Sequence, residues 1–173
     1  KIYVWSAGCS SGEEPYSIAF LVYFYKELNN VGYHFRIYGT DIDQGSLEKA
    51  ETGKYTPRSL FNVSNKFRKI FNLYSKEENR RNYISKKIKN MVMFKRESIL
   101  DSSWDIKFDL IFCRNVFIYF TRDLQKDALK GFLKVLKPTS YLVLGRVETI
   151  FSDSREMFEV VSNRDKIFKI KRS

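Results

Sequence analysis

The chain has 173 residues, 43% of them apolar, with 31 Lys and Arg against 20 Asp and Glu, a formal charge of +11. That length suits one domain with a proper core, and the apolar runs are far too short to span a bilayer. Two cysteines, Cys9 and Cys113, and one histidine, His34, exclude a disulfide framework and a multi-histidine metal site; both thiols are expected to be buried and reduced in a cytoplasmic protein.

From Lys1 the chain enters an apolar strand at once, with no initiator Met and no leader pattern, so it is expected to be a piece of a longer protein. Residues 2–5 read as a short buried strand. Residues 13–28 read as a helix, with Ile18, Leu21, Val22, Tyr25 and Leu28 at helical spacing. His34 precedes a second strand, residues 35–40, which stops at Asp41 and Asp43. A short helix follows at 46–52, closed by Gly53. Residues 91–94 and 108–113 read as further strands. Thr121 can cap a helix over 122–136, stopped by Lys137-Pro138, and a fifth strand follows at 141–144. Residues 157–161 and 167–170, flanking Asn163-Arg164-Asp165, read as an antiparallel hairpin.

Residues 54–96 stand apart. They hold 13 Lys and Arg against Glu77 and Glu78, leaving 18 of the 31 basic residues to cancel 18 of the 20 acids elsewhere. This segment should present a basic surface to an acidic partner. It also contains a helix-like run at 66–74 and an Asn62-Val63-Ser64 triplet that matches a glycosylation sequon, a pattern common by chance. Strands alternating with helices predict a mostly parallel α/β sheet covered on both faces, closed here by the hairpin.

Ligands of such sheets sit beyond the carboxyl ends of the strands. The loops there are residues 6–13, 41–43, 97–99 and 114–120. In the first, Ala7, Gly8 and Gly12 let a ligand approach the backbone, but Glu13 and Glu14 stand at the helix mouth, where they would repel a phosphate. An acidic strand-turn-helix site suits a cationic, hydroxyl-bearing ligand, and S-adenosylmethionine is one. Glu13 could meet its cationic end, or both acids could simply favour the positive helix terminus. Asp41 is placed to accept from ribose hydroxyls or to form a turn; Asp43 has the same chemistry. After the fourth strand, Arg114 and Asn115 precede an aromatic run that would put Asn115 near the cofactor and the Tyr119 hydroxyl near the reacting methyl, or else plug the end of the sheet.

Three blocks carry a resemblance: WSAGCSSGEEPYSIA (5–19), TDIDQGSLEKAETGKY (40–55) and FDLIFCRNVFIYFTRDLQ (108–125), continued by LKPTSYLVLGRVE (136–148). In these the chain resembles the catalytic domain of the CheR family, the S-adenosylmethionine-dependent chemoreceptor glutamate methyltransferases. The resemblance implies a Rossmann-like methyltransferase fold over residues 1–173. It further implies a mostly parallel seven-stranded sheet, an antiparallel C-terminal hairpin and a small inserted β-subdomain at about 56–90. The implied cofactor contacts are Ser6, Ala7, Glu13, Asp41, Ser98, Ile99, Arg114 and Asn115, with Tyr119 beside the transferable methyl and S-adenosylhomocysteine as product. The basic segment 54–96 falls where the family inserts its receptor-docking unit, which makes methyl-accepting chemotaxis receptors the implied partners of a cytoplasmic monomer, without nucleic acid or membrane insertion. The family's N-terminal helical domain has no counterpart here. Ser98 stands where the family often has Asn, and Gly145-Arg146-Val147-Glu148 where it has Gly-His-Ser-Glu. Two other readings stay open. One is a domain that binds without turnover. The other is an RNA methyltransferase that stacks bases on Phe61, Phe67, Phe71, Tyr74 and Tyr83.

Overall fold

The computed structural model describes residues 1–60, 63–101, 103–151 and 154–171; Phe61 and Asn62, named above, lie outside them. In chain order the elements are β1 (Ile2–Ala7), α1 (Glu13–Asn29), β2 (Phe35–Asp41), α2 (Gln44–Thr52), β3 (Lys54–Tyr55), a 3-10 turn at Pro57–Leu60, α3 (Asn65–Leu73), β4 (Ser75–Glu78), β5 (Arg81–Ile84), α4 (Lys86–Lys89), β6 (Val92–Arg96), β7 (Phe108–Cys113), a second 3-10 turn at Phe117–Tyr119, α5 (Arg122–Val135), β8 (Leu136–Leu144), β9 (Phe158–Ser162) and β10 (Ile167–Ile170).

Successive side chains of a strand point to opposite faces, and β1 buries both. Val4 joins the core on one face; Trp5 and Ala7 join the core on the other. β1 is accordingly central, parallel to β2 (Val4 beside Ile37) and to β7 (Val4 beside Leu110). The sheet has seven strands in the order β6-β2-β1-β7-β8-β10-β9, parallel except for β10, which runs antiparallel to β8 and β9. The expected mostly parallel sheet with its closing hairpin is present.

Trp5 is fully buried against Trp104, Phe108 and Phe132, and its indole N–H donates to Thr40 Oγ1 at 2.9 Å. Its one polar atom is therefore satisfied inside the core. α5 covers this face with Ala128, Leu129 and Phe132.

α1 covers the other face through Tyr16, Ile18, Ala19 and Phe20, and the same core takes in Tyr55, Ile70, Phe71, Ile84 and Ile88 of the basic segment. That segment thus folds onto α1 and shares its core. Its strands form a separate antiparallel sheet, β3-β5-β4. β4 and β5 are joined through Asn79 and Arg80, both at positive φ (50° and 57°), as a two-residue hairpin turn requires. Phe67, Phe71 and Tyr74 pack against Phe20, so these three rings take part in the core.

Most expected bounds shift by one or two residues, and two features differ more. α5 ends at Val135 and Leu136 opens β8, so Lys137-Pro138 lies within a strand and does not end the helix. The β7–β8 ladder is irregular there, passing from Phe108 beside Leu136 to Leu110 beside Tyr141, and a proline without an N–H is tolerated at such a bulge. α1 also differs in the face it buries. Leu21, Tyr25 and Leu28 are exposed, while Tyr16, Ile18, Ala19 and Phe20 are buried, because apolar residues surround this helix and their spacing alone does not select a side.

Candidate active-site cleft

Strand order turns about β1, with β2 on one side and β7 on the other. Doubly wound sheets open a ligand crevice at such a point. The loops after β1, β2, β6 and β7 converge there on one cleft of about 980 Å³, lined among others by Gly8, Glu14, Asp41, Ser98, Asn115 and Tyr119.

The β1–α1 loop is bent by three left-handed residues, Gly8 (φ 77°), Ser10 (48°) and Gly12 (88°). A Cβ at Gly8 would collide with Val116 of the β7 loop, and one at Gly12 would lie 2.7 Å from Ala50 Cβ. Glycine at these places lets neighbouring segments close on the loop. Ser10 is not glycine, and Asp41 holds it: the Ser10 N–H donates to Asp41 Oδ2 at 2.7 Å, while the Asp43 N–H donates to Oδ1 at 3.0 Å. A carboxylate has about four lone-pair sites, so Asp41 keeps acceptor capacity toward the cleft. Asp43 instead caps α2, accepting from the Gly45 and Ser46 N–H groups. The Ser46 hydroxyl and then these amides hold its carboxyl below the usual range.

The two glutamates of α1 divide their work. Glu13 is exposed and accepts from the Ser11 hydroxyl at 2.8 Å. Glu14 is the inner one, 20% exposed, accepting from Ser6 Oγ at 2.7 Å and pairing with the Arg114 guanidinium at 3.2 Å. Burial pushes its carboxyl up, against the pull of Ser6 and Arg114. Ser6 and Ala7 are themselves wholly buried and lie behind the cleft wall. Ser98 and Ile99 line the cleft, and Ser98 Oγ accepts from the Leu100 N–H at 3.2 Å.

Arg114 and Asn115 face the cleft from β7. Asn115 is left-handed, φ 59°, and the loop is held by a residue given no role above. Glu148 is buried, and its carboxylate accepts from the backbone N–H groups of Asn115 (3.0 Å), Val116 (2.8 Å), Phe117 (2.8 Å) and Gly145. Nothing around Glu148 in sequence marks it as buried; its only signal was its place at the end of the fourth matching block. Arg146 and Val147, the departures in that block, are exposed. Tyr119 closes the 3-10 turn at the rim, 81% exposed.

Cys9 and Cys113 are free and buried. Burial, then Asp41, pushes the Cys9 thiol up to about 12, and burial raises Cys113 well above its ordinary value. Both stay protonated at neutral pH and offer no nucleophile. Among the described residues no cluster of His, Cys, Asp or Glu could hold a metal, and no helix is long and apolar enough to cross a membrane.

Residues 1–167 match the family described as CheR methyltransferase, SAM binding domain. The chain belongs to this family. The chemotaxis protein methyltransferase of Borreliella burgdorferi is 40% identical to this CheR-family domain over 152 residues, covering 87% of the chain and 53% of that protein. That of Salmonella typhimurium is 34% identical over 156 residues, covering 88% and 54%. The chain therefore spans about half the length of these curated relatives. The fold resembles the glycopeptide N-methyltransferase MtfA complexed with sinefungin (TM-score 0.53, 7% identity, 83% of this chain and 43% of that one). It also resembles PKMT2 from Rickettsia typhi in complex with AdoHcy (TM-score 0.50, 19% identity, 83% and 20%). At such identities the likeness is one of fold.

Proposed function

We propose that the protein transfers a methyl group from S-adenosylmethionine to glutamate side chains of chemoreceptors in the cytoplasm, forming methyl esters, and does so as a monomer. The observation that carries this reading is an acidic cleft at the carboxyl ends of β1, β2 and β7, with an exposed tyrosine at its rim, in a CheR-family chain.

The donor set fits S-adenosylmethionine. Glu14 offers a cation a largely desolvated carboxylate, with Glu13 outside it. Asp41 has lone pairs left for ribose hydroxyls. Ile42, Ile99 and Leu100 line the cleft beside Ser98 and offer apolar contact to a planar base. Arg114 holds Glu14 in place, Ser6 does the same from beneath, and Asn115 completes the wall nearest Tyr119.

When bound, S-adenosylmethionine would supply a methyl carbon activated by a positive sulfur; an acceptor carboxylate oxygen would bond to that carbon in line as the carbon–sulfur bond breaks, and S-adenosylhomocysteine would leave. A glutamate with an ordinary pKa of about 4.3 is already ionised at neutral pH. No general base is required, and the single histidine, His34, lies outside the cleft lining. What this chain contributes is position. The Tyr119 phenol donates to one oxygen of the acceptor and aims the other at the methyl. Thirteen Lys and Arg in residues 54–96 steer an acidic receptor surface toward the cleft.

Tyr119→Phe tests this directly. Transfer of labelled methyl to receptor should fall about 100-fold, in the range expected when a positioned hydrogen-bond donor is lost, with S-adenosylhomocysteine affinity unchanged. A wild-type rate in the variant removes Tyr119 from the chemistry. Methyl accepted by RNA and not by receptor would replace the substrate class.

A further inference from the structure

We infer that Tyr55 is a positioning residue of the cleft, whose hydroxyl fixes the β1–α1 loop from the basic segment; the link to cofactor affinity rests on the reading of the cleft given above. Tyr55 belongs to β3, and its hydroxyl donates to the carbonyl oxygen of Ser11 at 2.8 Å, 44 residues earlier in the chain. Ser11 lies between Ser10 and Gly12, both left-handed.

Such a loop needs external anchors to keep one shape. Asp41 supplies one, through the Ser10 N–H. The Thr40 carbonyl holds Gly8 and Cys9, and Tyr55 supplies a further anchor on Ser11, the residue after Ser10. The site of contact is tight: a Cβ at Gly12 would lie 3.0 Å from the Tyr55 hydroxyl oxygen. Tyr55 cannot swing away freely, because its ring is buried edge-on against Tyr16, with centroids 6.1 Å apart. Burial, and then the Glu13 charge, raise the phenol above its ordinary value, so it remains a donor across the neutral range. β3 pairs with β5, Tyr55 beside Asn82. The basic segment is thus tied to the cleft loop through this hydrogen bond.

Tyr55→Phe in the full 173-residue chain keeps the ring and removes only the donor. The dissociation constant for S-adenosylhomocysteine, measured by calorimetry, should rise about threefold to tenfold, the range set by one net hydrogen bond. Amide hydrogen exchange at Ser10 and Gly12 in the unliganded variant should quicken, while that of Ile37 in β2 stays as in the wild type. Unchanged affinity together with unchanged exchange at Ser10 and Gly12 overturns the inference, as does equal acceleration at Ile37, which would mean general destabilisation. Wild-type chain that takes up no S-adenosylhomocysteine overturns the cofactor reading of the cleft, and the exchange data alone then decide whether Tyr55 holds the loop.

Discussion

Glu148 receives backbone N–H groups from Asn115, Val116, Phe117 and Gly145, and these bonds keep Asn115 at φ 59°. Glu148→Gln replaces acceptor oxygen by an amide that faces donors. It should destabilise the fold by about 3 kcal/mol, as for buried donors left unmatched, read by denaturant unfolding. Glu14 works in the other sense. Its carboxyl is raised by burial above the usual 4.5, so its contribution to stability is fully present below that pH and is lost as pH rises through the raised value. Glu14→Gln should therefore melt higher than the wild type at pH 7, and the gap should close as pH falls to about 4.5. A gap independent of pH would mean that ionisation of Glu14 carries no folding cost. The motif showed that this helix opens with two acids. It did not show which one turns inward, since adjacent helical residues differ only by rotation about the axis, and the choice is made by Ser6 and Arg114, eight residues before and 100 after.

At the scale of elements, strands buried on both faces were legible as apolar runs, and β7 matches its expected residues 108–113. β4 and β5 were not legible. Their sequences, SKEE and RNYI, are short and polar, and only Asn82 and Ile84 are buried, so no alternation marks them. α1 was legible as a helix but not in its orientation. Phe20 is buried against Phe71, centroids 5.0 Å apart, whereas Leu28 is 70% exposed. Phe20→Ala should cost about 3–5 kcal/mol. Leu28→Lys should stay within about 0.5 kcal/mol of the wild type. Comparable losses at both positions in chemical denaturation would contradict the observed face.

For the whole molecule, topology and charge were legible together. Alternating strands and helices fixed the edge of the sheet at which the polar loops meet, and the charge count placed the entire +11 on residues 54–96. What composition could not reveal is that this segment shares its core with α1, because that sharing depends on contacts distant in sequence. Nor could it show which lysines are free to act at a distance. Lys86 and Lys87 are exposed, while Lys89 Nζ donates to the Thr52 carbonyl at 3.1 Å. The double charge reversal Lys86→Glu, Lys87→Glu should therefore slow receptor association several-fold at low salt, with the difference fading as ionic strength passes about 0.15 M. S-adenosylhomocysteine affinity should be untouched. Association rates that ignore both the reversal and the salt would remove the steering role.

The most direct test of the cleft as a cofactor site is a calorimetric titration of the chain with S-adenosylhomocysteine, run beside Glu14→Gln. The wild type should bind in the micromolar range, and the variant, though folded, should bind about tenfold or more weakly, as expected when a charged hydrogen-bond partner is lost. Equal affinity in the two proteins, or no binding by the wild type, would contradict the assignment of Glu14 and of the cleft.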